Sequence, residues 1–233
     1  MPPLGPAFER EVRRINLRFN REVIEGLVVC PYARVARETG SSTVVVRGES
    51  VPTFEALFEV ADALATDPAI EVAQVVFPRV TLGAAEFLAF GSDFGPANAA
   101  RTPKKRPTFV HAAFHPGLSY GTDTPPRMVP FFRRSPDPMI QLVRLAVLDA
   151  IHATKPRGTQ FFDGDVASLR ELMKQKRPES VTDRITRENH ERAMAGAHEK
   201  IGEILADIAA DRARSYEAAE AEDRRAGPGG AGV

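Results

Sequence analysis

Apolar residues in the first segment recur at steps of three and four: Phe8, Val12, Ile15, Phe19 and Val23, with Arg and Glu between them. That spacing predicts an amphipathic helix over residues 8–27, loosened at its end by Gly26. A short helix is predicted over residues 30–40. Cys30 occupies its cap position, Pro31 the first helical position, where a missing N–H costs nothing, and Gly40 the position past its end. Three apolar runs then read as strands: residues 43–47 closed by Gly48, residues 71–77 by Pro78, and residues 108–114 by the His115-Pro116-Gly117 turn. Between them, residues 54–66 place Phe54, Leu57, Phe58, Ala61 and Leu64 on one helical face, and residues 82–90 predict another helix. Strand, helix, strand, helix, strand is the order of an α/β layer with crossover connections.

The remaining stretches are less regular. Residues 91–107 are rich in Gly, Pro and Lys/Arg and read as an irregular excursion long enough to serve as a flap; Arg101, Lys104, Lys105 and Arg106 form a basic cluster in it. Residues 116–134 read as turns. The RRSPDP segment then opens a helix over residues 139–152, with Met139, Leu142, Val143, Ala146, Val147 and Ala150 on one face. A short helix follows at 166–173. From Val181 a thinner stripe (Ile185, Met194, Ala197, Ile201, Leu205, Ile208) predicts one or two further helices. The expected organisation is an α/β core domain over residues 8–176, a C-terminal helical extension over 181–222, and a disordered tail over 223–233. The core is expected to hold a small three- to four-stranded, mainly parallel sheet flanked by helices.

Composition narrows the function classes. The 233 residues carry 31 basic and 31 acidic side chains, so the formal charge is zero, against general nucleic-acid binding, which needs a basic surplus. One Cys excludes an intramolecular disulfide framework and any multi-Cys metal knuckle. No apolar run reaches membrane-span length, and MPPLGPAFERE lacks the basic start and apolar core of a signal peptide. The expectation is a cytoplasmic protein with no membrane and no nucleic-acid partner.

If the three strands run parallel, chemistry-bearing residues gather at their carboxyl edge, where open α/β sheets bind ligands. His115 ends the third strand and Arg79 follows the second. Cys30, about 14 Å back along a helix antiparallel to the first strand, is brought to the same edge. At a helix start, Cys30 would be stabilised as thiolate and usable as a nucleophile, with the alternative that it is a small buried hydrophobe. His115 suits a general acid/base, or else a turn His bonded to backbone. His111 lies four residues earlier on the same strand face. Arg133 and Arg134, beside a helix start capped by Ser135 or Asp137, form an anion receptor, or else two solvated Arg at a well-capped helix. Tyr120 is a further candidate substrate contact in the turn-rich stretch. Cys30 with His115 or His111 is an incomplete metal set, so no metal ligand is assigned, and the sequence names no cofactor.

The segments GLVVCPYA, FHPG and RRSPDPMIQLVR, in that order, resemble the bacterial domain-of-unknown-function family numbered 1415. The likeness covers roughly residues 19–173. It implies a single α/β domain marked at Cys30, Pro31, His115, Pro116, Arg134, Ser135, Pro136 and Pro138. The chain departs from the family pattern at Gln141, where the family has His, at Leu145, where it has Glu, and at Arg133, where it has Asn. The helices from Val181 and the basic excursion look like additions to the family core. The leading expectation is a small-molecule enzyme of unestablished reaction, with Cys30 and His115 catalytic and Arg79, Tyr120, Arg133, Arg134 and Ser135 holding an anionic substrate. The alternatives are a haem- or metal-binding protein through Cys30 and His115 or His111, and a non-catalytic ligand-binding or assembly protein. In the last reading the C-terminal helices are a candidate homodimer surface.

Overall fold

The computed structural model describes residues 4–153 and 180–227, with side chains for 4–150 and 180–227. Four strands, β1 (Ser42–Val46), β2 (Val72–Val76), β3 (Phe109–Phe114) and β4 (Met139–Arg144), form one sheet in the order β1-β2-β4-β3. β1 pairs parallel with β2, and β4 runs antiparallel to both β2 and β3. The three strands expected from sequence therefore all point one way, and the architecture is α/β with helices on both faces. The unexpected element is β4, which wedges between β2 and β3 in the opposite direction.

Residues 139–144 correct the helix expected over 139–152. Only the second half is helical, α6 (Leu145–Ala153). A central strand buries both faces, so its apolar residues need not alternate with polar ones, and a short run of this kind satisfies the helical template equally well. Here Met139 and Gln141 face one layer while Ile140 and Leu142 face the other, each paired on both sides. Two more stretches are more ordered than their composition suggests. Helix α4 (Ala84–Ala100) runs through most of the expected excursion, carrying Gly91, Gly95 and Pro96, and only a 3₁₀ turn (Pro103–Lys105) remains of it. Residues 116–134 include α5 (Pro125–Phe132), which starts on two Pro residues in the first turn, where no N–H is needed. The helix expected over 166–173 and the tail beyond residue 227 lie outside the described residues.

On one face of the sheet, α3 (Phe54–Ala65) and α4 pack Leu57, Val60, Phe87 and Phe94 onto Ala73, Val75, Ile140, Leu142, Phe109 and Ala113. On the other face lies α1 (Pro6–Arg18), with its π-helical continuation Phe19–Glu25, together with α5 and the C-terminal helices. These are α7 (Val181–Arg192), a π-helical turn (Ala193–Ala197) and α8 (His198–Ala226). Among the described residues no helix is long and apolar enough to cross a membrane.

α8 is built into the core. Ile201, Ile208, Tyr216 and Ala219 are buried against Phe8, Val12, Ile15 and Phe19 of the α1 arm, so Ile201 and Ile208 of the expected stripe are covered within the chain, while Met194 is exposed. Arg14 and Arg18 bind Asp211 at 2.8 and 2.6 Å, and hydrogen bonds from Arg14 hold the Asp211 carboxyl far below its usual range. The helix also runs past residue 222, correcting the expected tail boundary. Asp223 accepts hydrogen bonds from the backbone N–H groups of Ala7 and Phe8, both at 2.9 Å. The α1 N-terminus has no side-chain cap of its own, because Gly5 stands at that position. A Cβ on Gly5 would fall 2.1 Å from the Asp223 carboxylate, so glycine is what lets the distant cap approach. Asp223→Ala is expected to cost about 1 kcal/mol of stability, the usual value of an N-cap. Denaturant unfolding read by circular dichroism measures it.

Candidate functional site

The carboxyl ends of β1, β2 and β3 and the amino end of β4 form one rim. The Phe77 N–H donates to the Pro138 carbonyl at 2.9 Å, and the His115 N–H donates to the Arg133 carbonyl at 3.1 Å, so the β2, β3 and pre-β4 segments are stitched together there. His115, Arg79, Arg133, Arg134 and Ser135 all stand at this rim, as the sequence placed them. The helix start expected after RRSPDP is absent, because β4 begins there. Ser135 and Asp137 therefore cap no helix. Ser135 is buried, and its hydroxyl donates to the Asp137 carbonyl at 2.5 Å, closing a turn.

His115 is only 9% exposed. Its Nδ1 accepts the Gly117 N–H at 3.0 Å, which puts the ring proton on Nε2, 3.0 Å from the Leu82 carbonyl it donates to. The imidazole thus ties the FHPG turn to the residues leading into α4, and both nitrogens are occupied by backbone. His111 shares this face, its ring seated on α4 where a Cβ on Gly95 would come within 2.7 Å of it. Burial pushes the His111 pKa down, offset in part by a hydrogen bond with the Gly91 backbone, with the Arg133 charge acting in the same direction as burial.

Cys30 belongs to the opposite layer, half-buried against the cluster under α1 and α5. It is not at a helix start either. Helix α2 (Ala33–Glu38) begins three residues later with Tyr32 as its cap, because residues 26–32 form a separate loop. That loop is held from several sides. Val28 adopts φ 54°, a left-handed conformation that a β-branched residue pays strain to hold. The Val28 carbonyl accepts from Arg192 and the Val29 carbonyl from Asn189, both at 2.8 Å. At its start the buried Glu25 takes a two-pronged ion pair from Arg37 at 2.7 and 2.8 Å, and that hydrogen bonding holds the Glu25 carboxyl below its usual range. Sequence spacing brings sulfur and imidazole to one edge, but the structure divides them between the two faces of the sheet. Among the described residues no three His, Cys, Asp or Glu side chains cluster closely enough to hold a metal ion.

Two of the anion-receptor candidates, Arg134 and Tyr120, lie together. Arg134 donates from Nε to the Pro116 carbonyl at 3.0 Å, and its guanidinium lies 5.9 Å from the centre of the Tyr120 ring. Tyr120 stacks on Phe131 with ring centres 4.8 Å apart. Its hydroxyl is 3.0 Å from Nε2 of His198, the first residue of α8. Arg133 is half-buried, its guanidinium 5.9 Å from the Phe114 ring centre. Among the described residues this guanidinium makes neither a hydrogen bond nor an ion pair. Burial alone lowers its pKa from the ordinary arginine value. Arg79, by contrast, is spent: it pairs with Glu220 at 3.8 Å and lies over Phe8.

On the same rim lies a group the sequence did not reveal. The Asp137 carboxylate, 2% exposed, accepts from Arg212 Nε at 2.7 Å and from the Tyr216 hydroxyl at 2.6 Å. Arg212 also reaches the Pro78 carbonyl at 3.3 Å. The signal was present in α8, where 201, 208, 212, 216, 219 and 223 continue the inward helical spacing. The surrounding Ala and charged residues hide it, and Asp137 reads as a cap because the segment after it reads as a helix.

The fold is α/β, a four-stranded sheet between two helical layers, with Arg79, Arg133 and Arg134 along one rim. A family model described as "Protein of unknown function (DUF1415)" matches residues 13–179, and the chain belongs to that family. No curated protein and no solved structure matches the chain.

Proposed function

We propose that this protein binds a small anionic molecule at the carboxyl rim, with Arg133 and Arg134 as the cationic receptors and Tyr120 as the flanking aromatic wall. One observation carries the reading: Arg133 is a half-buried guanidinium with no counter-charge among the described residues. An unpaired charge withdrawn from water costs several kcal/mol unless something neutralises it. A carboxylate or phosphate does so with charge-assisted, two-pronged hydrogen bonds that suit the planar guanidinium. Arg134 supports the same ligand, since among the described residues only its Nε is committed to a protein acceptor. The reading asks nothing of the Cys30–His115 pair, whose members lie on opposite faces of the sheet.

Titration calorimetry of the full chain with inorganic phosphate and small dicarboxylates tests it. The wild-type protein is expected to bind at least one of them, and Arg133→Gln to weaken that binding tenfold or more. Without ligand, Arg133→Gln is expected to melt at the wild-type temperature or above it, because the substitution relieves an uncompensated charge. Absence of binding, or binding indifferent to Arg133, defeats the reading.

A further inference from the structure

Gln141 of β4 stands on the same sheet face as Phe114, over whose ring the Arg133 guanidinium lies. Met139 and Gln141 alternate with Ile140, so both point into the layer under α1 and α5. In register, Gln141 lies between Gln74 of β2 and Ala112 of β3, while Met139 lies beside Phe114. The Gln74 carboxamide is engaged at both its nitrogen and its oxygen. It donates to Asn20 at 2.9 Å and accepts from Asn20 at 2.8 Å, and Asn20 is bonded in turn to Asn16. Gln141 is half-buried, and among the described residues its carboxamide has no hydrogen-bond partner.

A carboxamide offers two donors and an acceptor side by side, and holding one half-buried in the middle of a sheet face is unfavourable unless those groups are met. Its neighbour on the edge strand is Ala112, too small to cover it. One row toward the rim, a step of about 7 Å for two strand residues, lies Phe114 with the unpaired Arg133 guanidinium over its ring. Among the described residues, a cation without an ion pair and a carboxamide without a hydrogen bond therefore stand near adjacent rows of one sheet face.

Resting on the anion-site reading above, we propose that the ligand carries an amide-type donor–acceptor edge beside its anionic group, and that Gln141 reads this edge while Arg133 holds the anion. The class is a small carboxylic acid or phosphate bearing a carboxamide, ureido or similar planar group. Gln141 is a specificity-determining residue: it does not set whether an anion binds, but which one.

The test compares glutaramate with pentanoate, which has the same five-carbon acid chain without the amide, and uses inorganic phosphate as the anion-only probe. Calorimetry on the full chain is expected to show about a tenfold preference for glutaramate over pentanoate. Gln141→Leu is expected to abolish that preference while leaving phosphate affinity unchanged. Gln141→Met, closer in shape, makes the same comparison should the leucine variant fail to fold. Equal binding of the two acids by the wild-type protein, or a preference that survives both variants, overturns the inference; if phosphate binding still depends on Arg133, the anion site stands without it. Failure of phosphate and both acids to bind removes both readings together.

Discussion

A chain ending at residue 180 is expected to show no cooperative thermal transition, although it contains the whole segment that matches the family. Truncation there removes Ile201, Ile208, Tyr216 and Ala219 from the cluster that buries Phe8, Val12, Ile15 and Phe19. Each large side chain left uncovered forfeits about 1.5–3 kcal/mol. The loss on both sides of this contact reaches the whole net stability of an ordinary domain, about 5–15 kcal/mol. The cut also removes the Asp223 cap and the Asp211 partner of Arg14 and Arg18. Differential scanning calorimetry of the truncated and full chains decides the matter. A truncated chain that melts cooperatively near the full-length temperature would make α8 an accessory.

The expected result has a structural logic. The family match begins at residue 13 and stops at 179, so the first turns of α1 and all of α8 lie outside it. These two outlying pieces pack on each other: Phe8 meets Tyr216 edge-on with ring centres 4.8 Å apart, and Arg10 pairs with Glu222. The two segments outside the match pack as one unit, held to the matched segment by Arg14, Arg18 and the Asp137 network.

How much of this was legible depended on which physical signal each element leaves in the sequence. The α1 arm has one wet face and one dry face, so its period showed. β1, β2 and β3 were readable from apolar runs ended by Gly or Pro, and strand parity correctly put His111 and His115 on one face. β4 left no alternation, because Met139 and Ile140, on its opposite faces, are both buried. The Gly and Pro residues of α4 and α5 resemble loop punctuation, yet in α4 glycine makes room for the His111 ring, and in α5 proline occupies the first turn. Cys30 shows the limit most clearly. Its loop has no periodicity, so topology could place it near an edge but not choose a face. Arg133 stood in the sequence as half of an Arg-Arg pair; only packing separates the unpaired guanidinium from its partner on Pro116.

Replacing Asp137 with Ala is expected to be among the most damaging single changes in the chain, at about 3–5 kcal/mol. The substitution leaves the Arg212 guanidinium and the Tyr216 hydroxyl facing each other inside the rim with no acceptor between them. Stranding one member of a buried ion pair costs more than the pair contributes, because the desolvation penalty remains after the attraction is gone. Tyr216→Phe deletes one bond to a charged group and should cost about 1.5–3 kcal/mol, leaving Arg212 paired. Burial, with the Asp137 charge behind it, pushes the Tyr216 phenol well above its usual range. Tyr216 should therefore stay protonated through an alkaline titration followed by tyrosinate absorbance until the protein unfolds. The order Asp137→Ala worse than Tyr216→Phe, measured by urea unfolding, separates an uncompensated charge from a merely lost hydrogen bond. Equal costs would mean that Arg212 finds water when its carboxylate is removed. The segment at stake, Arg133 to Pro138, carries the proposed anion receptor, so Asp137→Ala protein that remains folded should also bind phosphate more weakly than Tyr216→Phe.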